Sequence, residues 1–244
     1  MGIRFNGKNS RDYGLIITAY PPINHGAKRG EAYTIAGRNG TFYREDGTFD
    51  NYIQPYEVAV IEKNRRADLR ASDIATWLMG ANGFCRLEDT FEPEIFRMAR
   101  FAGPLNIEQI LGKYGRCTIE FDCLPERWLR SGEEPISTIF LGNIYNPTPN
   151  YARPLIKMSG GTDTLSLTLN GTKVIEVTGQ GSNNPVIIDC DAATITDASG
   201  ENIMGAATFY LPYNEFPKLA PGANTIFFGS TVTAYEITPR WWVL

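Results

Sequence analysis

Apolar and polar side chains alternate along most of the chain, and this alternation predicts β-strands. It is clearest over residues 116–124, where Cys117, Ile119, Phe121 and Cys123 are each separated by one polar residue. Because successive side chains of a strand point to opposite faces of its sheet, such a segment is typical of a half-buried strand. We expect further strands in the first part of the chain over residues 14–20, 41–45, 56–63, 84–91 and 94–101.

One segment among these predicted strands has the period of a helix. Apolar residues recur at intervals of four, three and four positions from Ala67 to Leu78, and Trp77 widens the apolar stripe. Gly80 stands where a C-terminal cap is common. The spacing therefore predicts one amphipathic helix over residues 66–79, packed on a sheet.

The last part of the chain contains strand patterns without a helical one. Runs rich in apolar and β-branched residues are separated by Gly, Asn and Pro turns, and they cover residues 155–160, 164–179, 185–197 and 224–241. The Asn170–Gly171 pair between two alternating runs is a strong signal for a type I′ hairpin. This part is expected to form an all-β sandwich.

Proline and charge mark a boundary between two parts of the chain. Residues 1–145 hold 18 basic and 19 acidic side chains, whereas residues 146–244 hold only 5 and 8. Several prolines lie where these two parts of the chain meet, and they prevent a continuous helix or a central strand there. The sequence therefore predicts a domain of β-structure with one helix over 1–135 and a β-sandwich domain over 136–244.

The charge balance argues against partners that are strongly acidic. The chain has 23 basic and 27 acidic side chains, which gives a formal net charge of −4 at pH 7. A surface that neutralises nucleic-acid phosphates or anionic lipids carries a net positive charge. No run of about 18 apolar residues is present, and the first residues lack the apolar stretch of a secretory signal. We expect a soluble protein that is made in a cytoplasm and has no membrane or specific nucleic-acid partner.

Few residues are available for catalysis. His25 is the only histidine of the sequence and lies in a stretch rich in Pro and Gly, so a nucleophile–base pair would depend on it alone. Asp189 and Asp191 would share one face of a strand, as a glycosidase pair could, but exposed solvating carboxylates are far more common in this pattern. We predict that the chain is not an enzyme.

Metal and cofactor sites are also poorly supported. The four cysteines show no CxxC spacing, and with one histidine they do not form a convergent set of zinc ligands. Cys117 and Cys123 are interpreted as small buried hydrophobes. The stretch 179–184 begins like a dinucleotide fingerprint but lacks its third glycine and the helix that should follow. The sequence therefore predicts no cofactor and no metal.

Six segments spread over the whole chain carry a resemblance when they are taken together and in order. They are FNGKNSRDYGLIIT (5–18), IAGRNG (35–40), CTIEFDCLPERWL (117–129), RPLIKMSG (153–160), FPKLAPGANTI (216–226) and ITPRWWVL (237–244). This series resembles the distal tail protein (Dit) family of long-tailed phages, especially those of Gram-positive hosts. Ala36 and Asn39 depart from the family, which commonly has Pro and Asp in this turn.

The resemblance implies both an architecture and a role. It implies an N-terminal β-barrel-like domain with one helix, which assembles into a hexameric ring, and a C-terminal galectin-like β-sandwich. The ring, single or stacked, would cap the tail tube of a phage or prophage and join the tube protein to the tail-associated lysin or tail fibre protein and, in many phages, to a receptor-binding protein. The implied location is the virion tail, assembled in the bacterial host cytoplasm, with DNA passing through without specific binding.

Two groups of residues are candidates for contacts between subunits or domains. Arg38, Asn39 and Gly40 belong to a tight turn, which either is purely structural or directs Arg38 towards a neighbouring subunit. The second group lies near the C-terminus and consists of Arg240, Trp241 and Trp242. It either forms an edge strand of the sandwich or makes an interdomain or subunit contact.

A different class of function stays open for the second domain. Exposed aromatic rings can stack on sugars, and the candidates here are Tyr210, Tyr213 and Phe216. In this alternative the chain is a carbohydrate-binding adhesion module that recognises host cell-wall glycans. At 244 residues the chain has no room for the inserted carbohydrate-binding modules of larger family members, which favours the structural role.

Overall fold

β-Strands and one α-helix make up the first half of the chain, as the residue pattern predicts. The computed structural model describes residues 1–61, 67–111, 114–137, 142–160, 164–178, 184–210 and 215–244. The helix α1 spans Ala67–Met79. The strands that precede and follow it are β1 (Ile3–Phe5), β2 (Lys8–Asn9), β3 (Leu15–Ile17), β4 (Lys28–Thr34), β5 (Thr41–Phe49), β6 (Tyr52–Ile61), β7 (Cys85–Asp89), β8 (Ile95–Phe101), β9 (Glu108–Leu111) and β10 (Tyr114–Leu129).

The second half contains strands and short 3₁₀ turns, and no α-helix occurs in its described residues. Its strands are β11 (Gly142–Asn146), β12 (Leu155–Gly160), β13 (Thr164–Leu169), β14 (Thr172–Thr178), β15 (Val186–Asp189), β16 (Thr194–Thr196), β17 (Ala207–Phe209), β18 (Gly222–Phe228), β19 (Val232–Thr238) and β20 (Trp242–Val243). The predicted fold class, mainly β with one helix, is confirmed. The described helix is too short to span a bilayer.

The chain divides into two compact units at the bond between Arg127 and Trp128. The first unit comprises Met1–Arg127 and Leu244, and the second comprises Trp128–Val243. Each unit encloses a hydrophobic core of its own. The assignment of a ring-forming domain to 1–135 and a sandwich domain to 136–244 stays a prediction.

A curled, half-barrel sheet forms the centre of the first unit. Its strand order is β2-β1-β7-β8-β10-β6-β3, and β9 also pairs with β10. Strands β6 and β10 are antiparallel and pair continuously from Tyr52 opposite Cys123 to Ile61 opposite Tyr114. The predicted alternation in β10 is confirmed, because Ile119, Phe121 and Cys123 are buried on one face.

The helix packs against this core. Ile74, Trp77 and Leu78 are buried, which agrees with the predicted apolar stripe. The indole N–H of Trp77 donates to the carbonyl of Phe5 (3.1 Å), and the ring of Tyr13 stacks on the indole at 4.6 Å between centroids. An amphipathic helix thus gains most of its stability from packing on the sheet. The predicted first residue, Arg66, lies outside the described residues.

The strand predictions for the first unit are largely correct, with two informative differences. The strand expected over 14–20 ends at Ile17, because Pro21 and Pro22 follow and cannot continue a sheet ladder. Strand β4 is absent from the prediction, as are the shorter strands β1, β2 and β9. The sequence of β4, KRGEAYT, has no apolar alternation, since both of its faces are exposed except at Gly30.

Two sheets form the second unit and pack as a sandwich. Their strand orders are β11-β18-β13-β14-β17 and β16-β15-β12-β19. Apolar side chains from both sheets, including Leu165, Leu167, Ile156 and Ile188, fill the common core. The predicted hairpin at Asn170 and Gly171 is confirmed, since it joins β13 to β14 and both residues have the positive φ that a type I′ turn requires (50° and 79°).

Candidate subunit interface

The hairpin of β4 and β5 is a sheet of its own in the first unit. Its strands pair antiparallel from Thr34 opposite Thr41 to Lys28 opposite Phe49, and within the described residues they pair with no other strand. Nearly all of its residues are exposed. A two-stranded hairpin is at best marginally stable in water without a packing partner. The exposed hairpin is therefore the strongest candidate for a contact surface.

One face of the hairpin is stabilised by its own side chains. The ring of Tyr43 lies across Gly30, where an added Cβ would come within 2.8 Å of the Tyr43 Cζ atom. The Tyr43 hydroxyl donates to the carbonyl of Lys28 (3.3 Å), and the Lys28 ammonium pairs with Glu45 at 3.0 Å. An aromatic ring that covers a strand glycine compensates for the side chain that the glycine lacks. These contacts order this face locally, although the Tyr43 ring itself is still 49% exposed.

The opposite face presents apolar rings to solvent. Tyr33 and Phe42 are directly opposed across the two strands and are 43% and 49% exposed. Ile35, which follows β4, is 47% exposed. Cross-strand aromatic pairs stabilise a hairpin, but a cluster of exposed apolar side chains also marks a surface that other proteins contact.

The base of the hairpin is closed by contacts between its own two ends, and a hydrogen bond from Asn24 joins it to strand β6. The Asp50 N–H donates to the carbonyl of Ala27 (2.8 Å), and the Arg29 guanidinium pairs with the Asp50 carboxylate at 2.9 Å. Gly26 lies so close to the Asp50 carbonyl that an added Cβ would come within 1.9 Å of its oxygen. Nearby, the Asn24 amide donates to the carbonyl of Ile53 on β6 (2.7 Å). The hairpin is thus held at its base, whereas its tip is exposed.

The predicted turn lies at the tip of this hairpin. Gly37 and Gly40 have φ values of 81° and 84°, a region that glycine adopts without strain. The Arg38 N–H donates to the carbonyl of Ile35 (3.2 Å), and Arg38, Asn39 and Gly40 are exposed. No described residue forms a hydrogen bond or an ion pair with the Arg38 side chain. The role of these residues in a subunit interface stays a prediction.

The C-terminal candidates make contacts inside the second unit. Arg240 has a φ of 59°, and its guanidinium forms two hydrogen bonds to the Asp189 carboxylate at 2.6 and 2.9 Å. Trp241 is buried in the core of the unit. Trp242 is half-buried, and its indole N–H donates to the carbonyl of Tyr151 (3.0 Å). An additional contact of these residues with another domain or subunit stays a prediction.

The ion pair between Arg240 and Asp189 makes the second unit sensitive to acid. Hydrogen bonds from Arg240 hold the pKa of Asp189 below its usual value. A lowered pKa stabilises the fold above the unfolded-state value near 3.9, and this contribution is lost as pH falls further through the folded-state pKa. We expect Asp189→Asn to lower the melting temperature more at pH 7 than at about pH 2. Calorimetry across this range measures the effect, and an equal loss at both pH values would contradict it.

The candidate sugar-stacking residues are only partly described. Tyr213 lies outside the described residues. Phe216 packs edge-on against Phe209 at 5.0 Å between centroids and contacts the core of the second unit. Tyr210 is exposed, and the Lys173 ammonium lies 4.7 Å from its ring centroid. Phe216 therefore serves packing, and a role of this group in glycan binding stays a prediction.

The residues considered for chemistry are dispersed. The carboxylates of Asp189 and Asp191 pair with Arg240 and Arg153 respectively. The four cysteines are free thiols, and burial raises the pKa of Cys117 to about 11 and that of Cys123 to about 12. Within the described part of the chain, no three His, Cys, Asp or Glu side chains are placed to hold a metal ion.

Solved structures of phage proteins share this fold. The chain superimposes on the Dit protein of phage SPP1, described as a paradigm of the hub adsorption apparatus in phages that infect Gram-positive bacteria, with a TM-score of 0.75. The two sequences are 16% identical, and the match covers 100% of this chain and 99% of the SPP1 chain. No protein-family model and no curated protein sequence matches the chain.

The baseplate of phage p2 contains a more distant match. In its activated conformation with strontium, the TM-score is 0.54 at 10% identity, and 97% of this chain and 96% of that chain are covered. In the activated conformation with calcium, the TM-score is 0.51 at 8% identity, with coverages of 92% and 90%. The chain therefore has, over its whole length, the fold of proteins from phage adsorption and baseplate assemblies.

Proposed function

We propose that this chain is a structural hub protein of a phage or prophage tail, which forms a ring and joins the tail tube to the host-attachment apparatus. The observation that carries the proposal is the full-length fold likeness to the SPP1 Dit protein. The six segments that resemble the Dit family support it as well, because that resemblance is one of residue identity and not of shape. The role depends on assembly and requires no catalytic group.

The hairpin supports a ring built from head-to-tail contacts. A fixed base, an exposed tip and an apolar face suit an arm that lies on the next copy of the chain. When such a contact uses two different surfaces of one chain, repetition closes a ring if the rotation allows it. Closure covers the hairpin of every copy. This hairpin therefore provides the physical basis for the proposed assembly.

We assign six copies to the proposed ring, with the tail tube protein on one side. On the other side, the tail-associated lysin or fibre protein and a receptor-binding protein are the proposed partners. Six copies would carry a formal charge of −24, which opposes tight binding of DNA phosphates during passage through the ring. The proposed location is the virion tail, after assembly in the host cytoplasm.

Light scattering coupled to size exclusion, over a range of protein concentrations, tests this proposal. The parent chain should reach about 163 kDa, which is six times the 27.2 kDa of one chain. Negative-stain images of that species should show a six-fold annulus. A chain that stays monomeric at every concentration, with and without the tail tube protein, would contradict the proposed function.

Arg38→Ala is expected to weaken the ring without unfolding the chain. Interface arginines that lose their partners commonly cost about 2 kcal/mol, or more than tenfold in affinity. The concentration needed for half-assembly should therefore rise by about tenfold or more. Arg11→Ala is the matched control, because Arg11 is also exposed in the first unit. Unchanged assembly of Arg38→Ala would restrict the turn to a structural role.

A further inference from the structure

A short proline segment, residues 20–23, lies in the first unit between strands β3 and β4 and has the sequence Tyr-Pro-Pro-Ile. Tyr20 is 78% exposed and Ile23 is 67% exposed. Burial of such large apolar side chains against a partner is favourable, because it removes their surface from water. Two of them at one place on the surface are typical of a contact with another protein. The proline segment is therefore a second candidate contact surface, besides the hairpin.

The two prolines determine the backbone conformation of this segment. Proline holds its own φ near −65° and disfavours the helical conformation in the residue before it, so Tyr20 and Pro21 are extended or in the polyproline II conformation. No residue of the segment belongs to a helix or a strand. A polyproline II helix has three residues per turn, and residues three apart therefore lie on the same side of it. This spacing places Tyr20 and Ile23 on one side of the segment.

Contacts with the rest of the first unit hold the proline segment in place. The side-chain amide of Gln54, on strand β6, donates to the carbonyl of Pro22 (2.9 Å). Directly after the segment, Asn24 donates to a backbone carbonyl of the same strand (2.7 Å). The ring of Tyr20 packs edge-on against Phe91 at 5.0 Å between centroids. Because the segment is already ordered, a partner that binds it pays little conformational entropy.

The aromatic face of the β4–β5 hairpin has the composition that binds such a segment. Tyr33 and Phe42 are directly opposed on this face, and Ile35 follows towards the tip. Polyproline II segments dock on surfaces lined by aromatic rings, since their preformed backbone presents its side chains at little entropic cost. Glu31 and Arg44 are also opposed on this face, and their charges cancel. The face is thus suited to an uncharged proline segment.

Both surfaces remain uncovered in a single chain. Tyr20 and Ile23 on the proline segment and Tyr33 and Phe42 on the hairpin are all more than 40% exposed. Neither surface carries a net charge, so placing one against the other leaves no charge unpaired. Strand β5 has nine residues and would span about 30 Å if fully extended, so the hairpin reaches well beyond its own base. A second copy of the chain can therefore supply the partner that each surface lacks.

We propose that the aromatic face of the hairpin binds the proline segment of a neighbouring copy, with Tyr33 and Phe42 packed on the prolines and on the side chains of Tyr20 and Ile23. The proposal rests on the proposed ring and names the surface that the hairpin covers within it. Because the hairpin and the proline segment are different surfaces of one chain, each copy donates one hairpin and receives another. This is the head-to-tail arrangement that a closed ring needs.

Removal of the two apolar side chains tests the proposal in the full-length chain. Tyr20→Thr combined with Ile23→Thr, the segment variant, should raise the concentration for half-assembly at least about tenfold. The prolines and the hydrogen bonds to β6 remain, so calorimetry should show the melting temperature of the monomeric parent. Met79→Thr combined with Tyr114→Thr is the matched control and should assemble like the parent, because both residues are comparably exposed elsewhere in the first unit (56% and 49%).

Cross-linking between two variants shows which surfaces meet. The segment variant, with a benzophenone amino acid in place of Ile35, keeps the aromatic face of its hairpin. It is mixed with the hairpin variant, Tyr33→Thr combined with Phe42→Thr, which keeps its proline segment. Only one pairing is intact in this mixture. Illumination should therefore join the two chains through residues 18–24 of the hairpin variant, as mapped by mass spectrometry.

The possible results separate this proposal from that of the ring. If the segment variant assembles like the parent, or if the links map to other residues, the hairpin binds another surface and the ring proposal stands. If the parent chain never assembles, the ring proposal fails and this proposal fails with it.

Discussion

Replacing Arg97 by methionine is expected to lower the free energy of unfolding of the first unit by about 3–5 kcal/mol. The Arg97 residue is only 2% exposed. Its guanidinium pairs with the Asp89 carboxylate at 3.2 Å and also with Glu92. Removing one partner of a buried ion pair leaves an uncompensated charge in a poorly solvated site, and this effect is much larger than the loss of the attraction itself.

The network around Arg97 explains why its loss should act on the whole unit. The Asp89 carboxylate also accepts the Tyr56 hydroxyl and the N–H groups of Phe91 and Glu92, each at 2.8 Å. The Arg97 Nε–H donates to the Tyr52 hydroxyl (3.1 Å), whose pKa is raised by burial to about 12. One cation therefore ties the turn after β7 to strands β6 and β8.

Thermal and denaturant unfolding of the full-length chain measures this effect. Arg29→Met is the matched control, because Arg29 lies in the same unit and both side chains of its ion pair with Asp50 are 54% exposed. An exposed pair of this kind contributes about 0–1 kcal/mol. Arg97→Lys should be intermediate, since it keeps the charge but not the planar fork of donors. Equal losses in Arg97→Met and Arg29→Met would contradict the central role of Arg97.

Arg97 also shows where sequence patterns stop predicting the fold. The run 94–101 predicts strand β8 correctly, but a charged residue in such a run is expected to face solvent. In the structure Arg97 shares the buried face with Ala99, because partners from β6 and the turn after β7 reach it. These partners lie far apart in the sequence, so no local pattern reveals the network. Buried charge is predictable only when the partner is known.

The candidate interface, too, is only partly predictable from the sequence. The tip was predictable, because Gly37, Arg38, Asn39 and Gly40 have the composition of a tight turn and turn chemistry is local. The length of the hairpin could not be predicted. Both faces of β4 are exposed to solvent, so its sequence shows no alternation of apolar and polar residues.

The left-handed backbone conformation of Arg240 is a further feature that no local sequence pattern predicts. A non-glycine residue with φ of 59° is held there by its contacts. Its N–H donates to the carbonyl of Gly132 (2.8 Å), and its side chain binds Asp189. Gly132 in turn approaches Trp241 so closely that an added Cβ would lie 2.3 Å from the Trp241 nitrogen. Tertiary packing thus determines this backbone conformation.

The apolar face of the hairpin leads to the largest expected effect on assembly. Tyr33→Thr combined with Phe42→Thr should abolish the ring while the first unit remains folded. Both rings are about half exposed in the single chain, and threonine retains the preference for a strand. In the ring they are expected to be covered, and an aromatic anchor in an interface contributes about 2 kcal/mol or more. Two such losses weaken each contact by roughly a thousandfold.

Repetition amplifies this loss, because every contact of a closed ring carries the same two substitutions. Light scattering should therefore report a monomer at concentrations where the parent chain is hexameric, while calorimetry shows a melting temperature close to that of the monomeric parent. Tyr145→Thr combined with Phe227→Thr removes two comparably exposed rings from the second unit and should leave the ring intact. A hexamer that survives the loss of Tyr33 and Phe42 would mean that the copies meet through another surface.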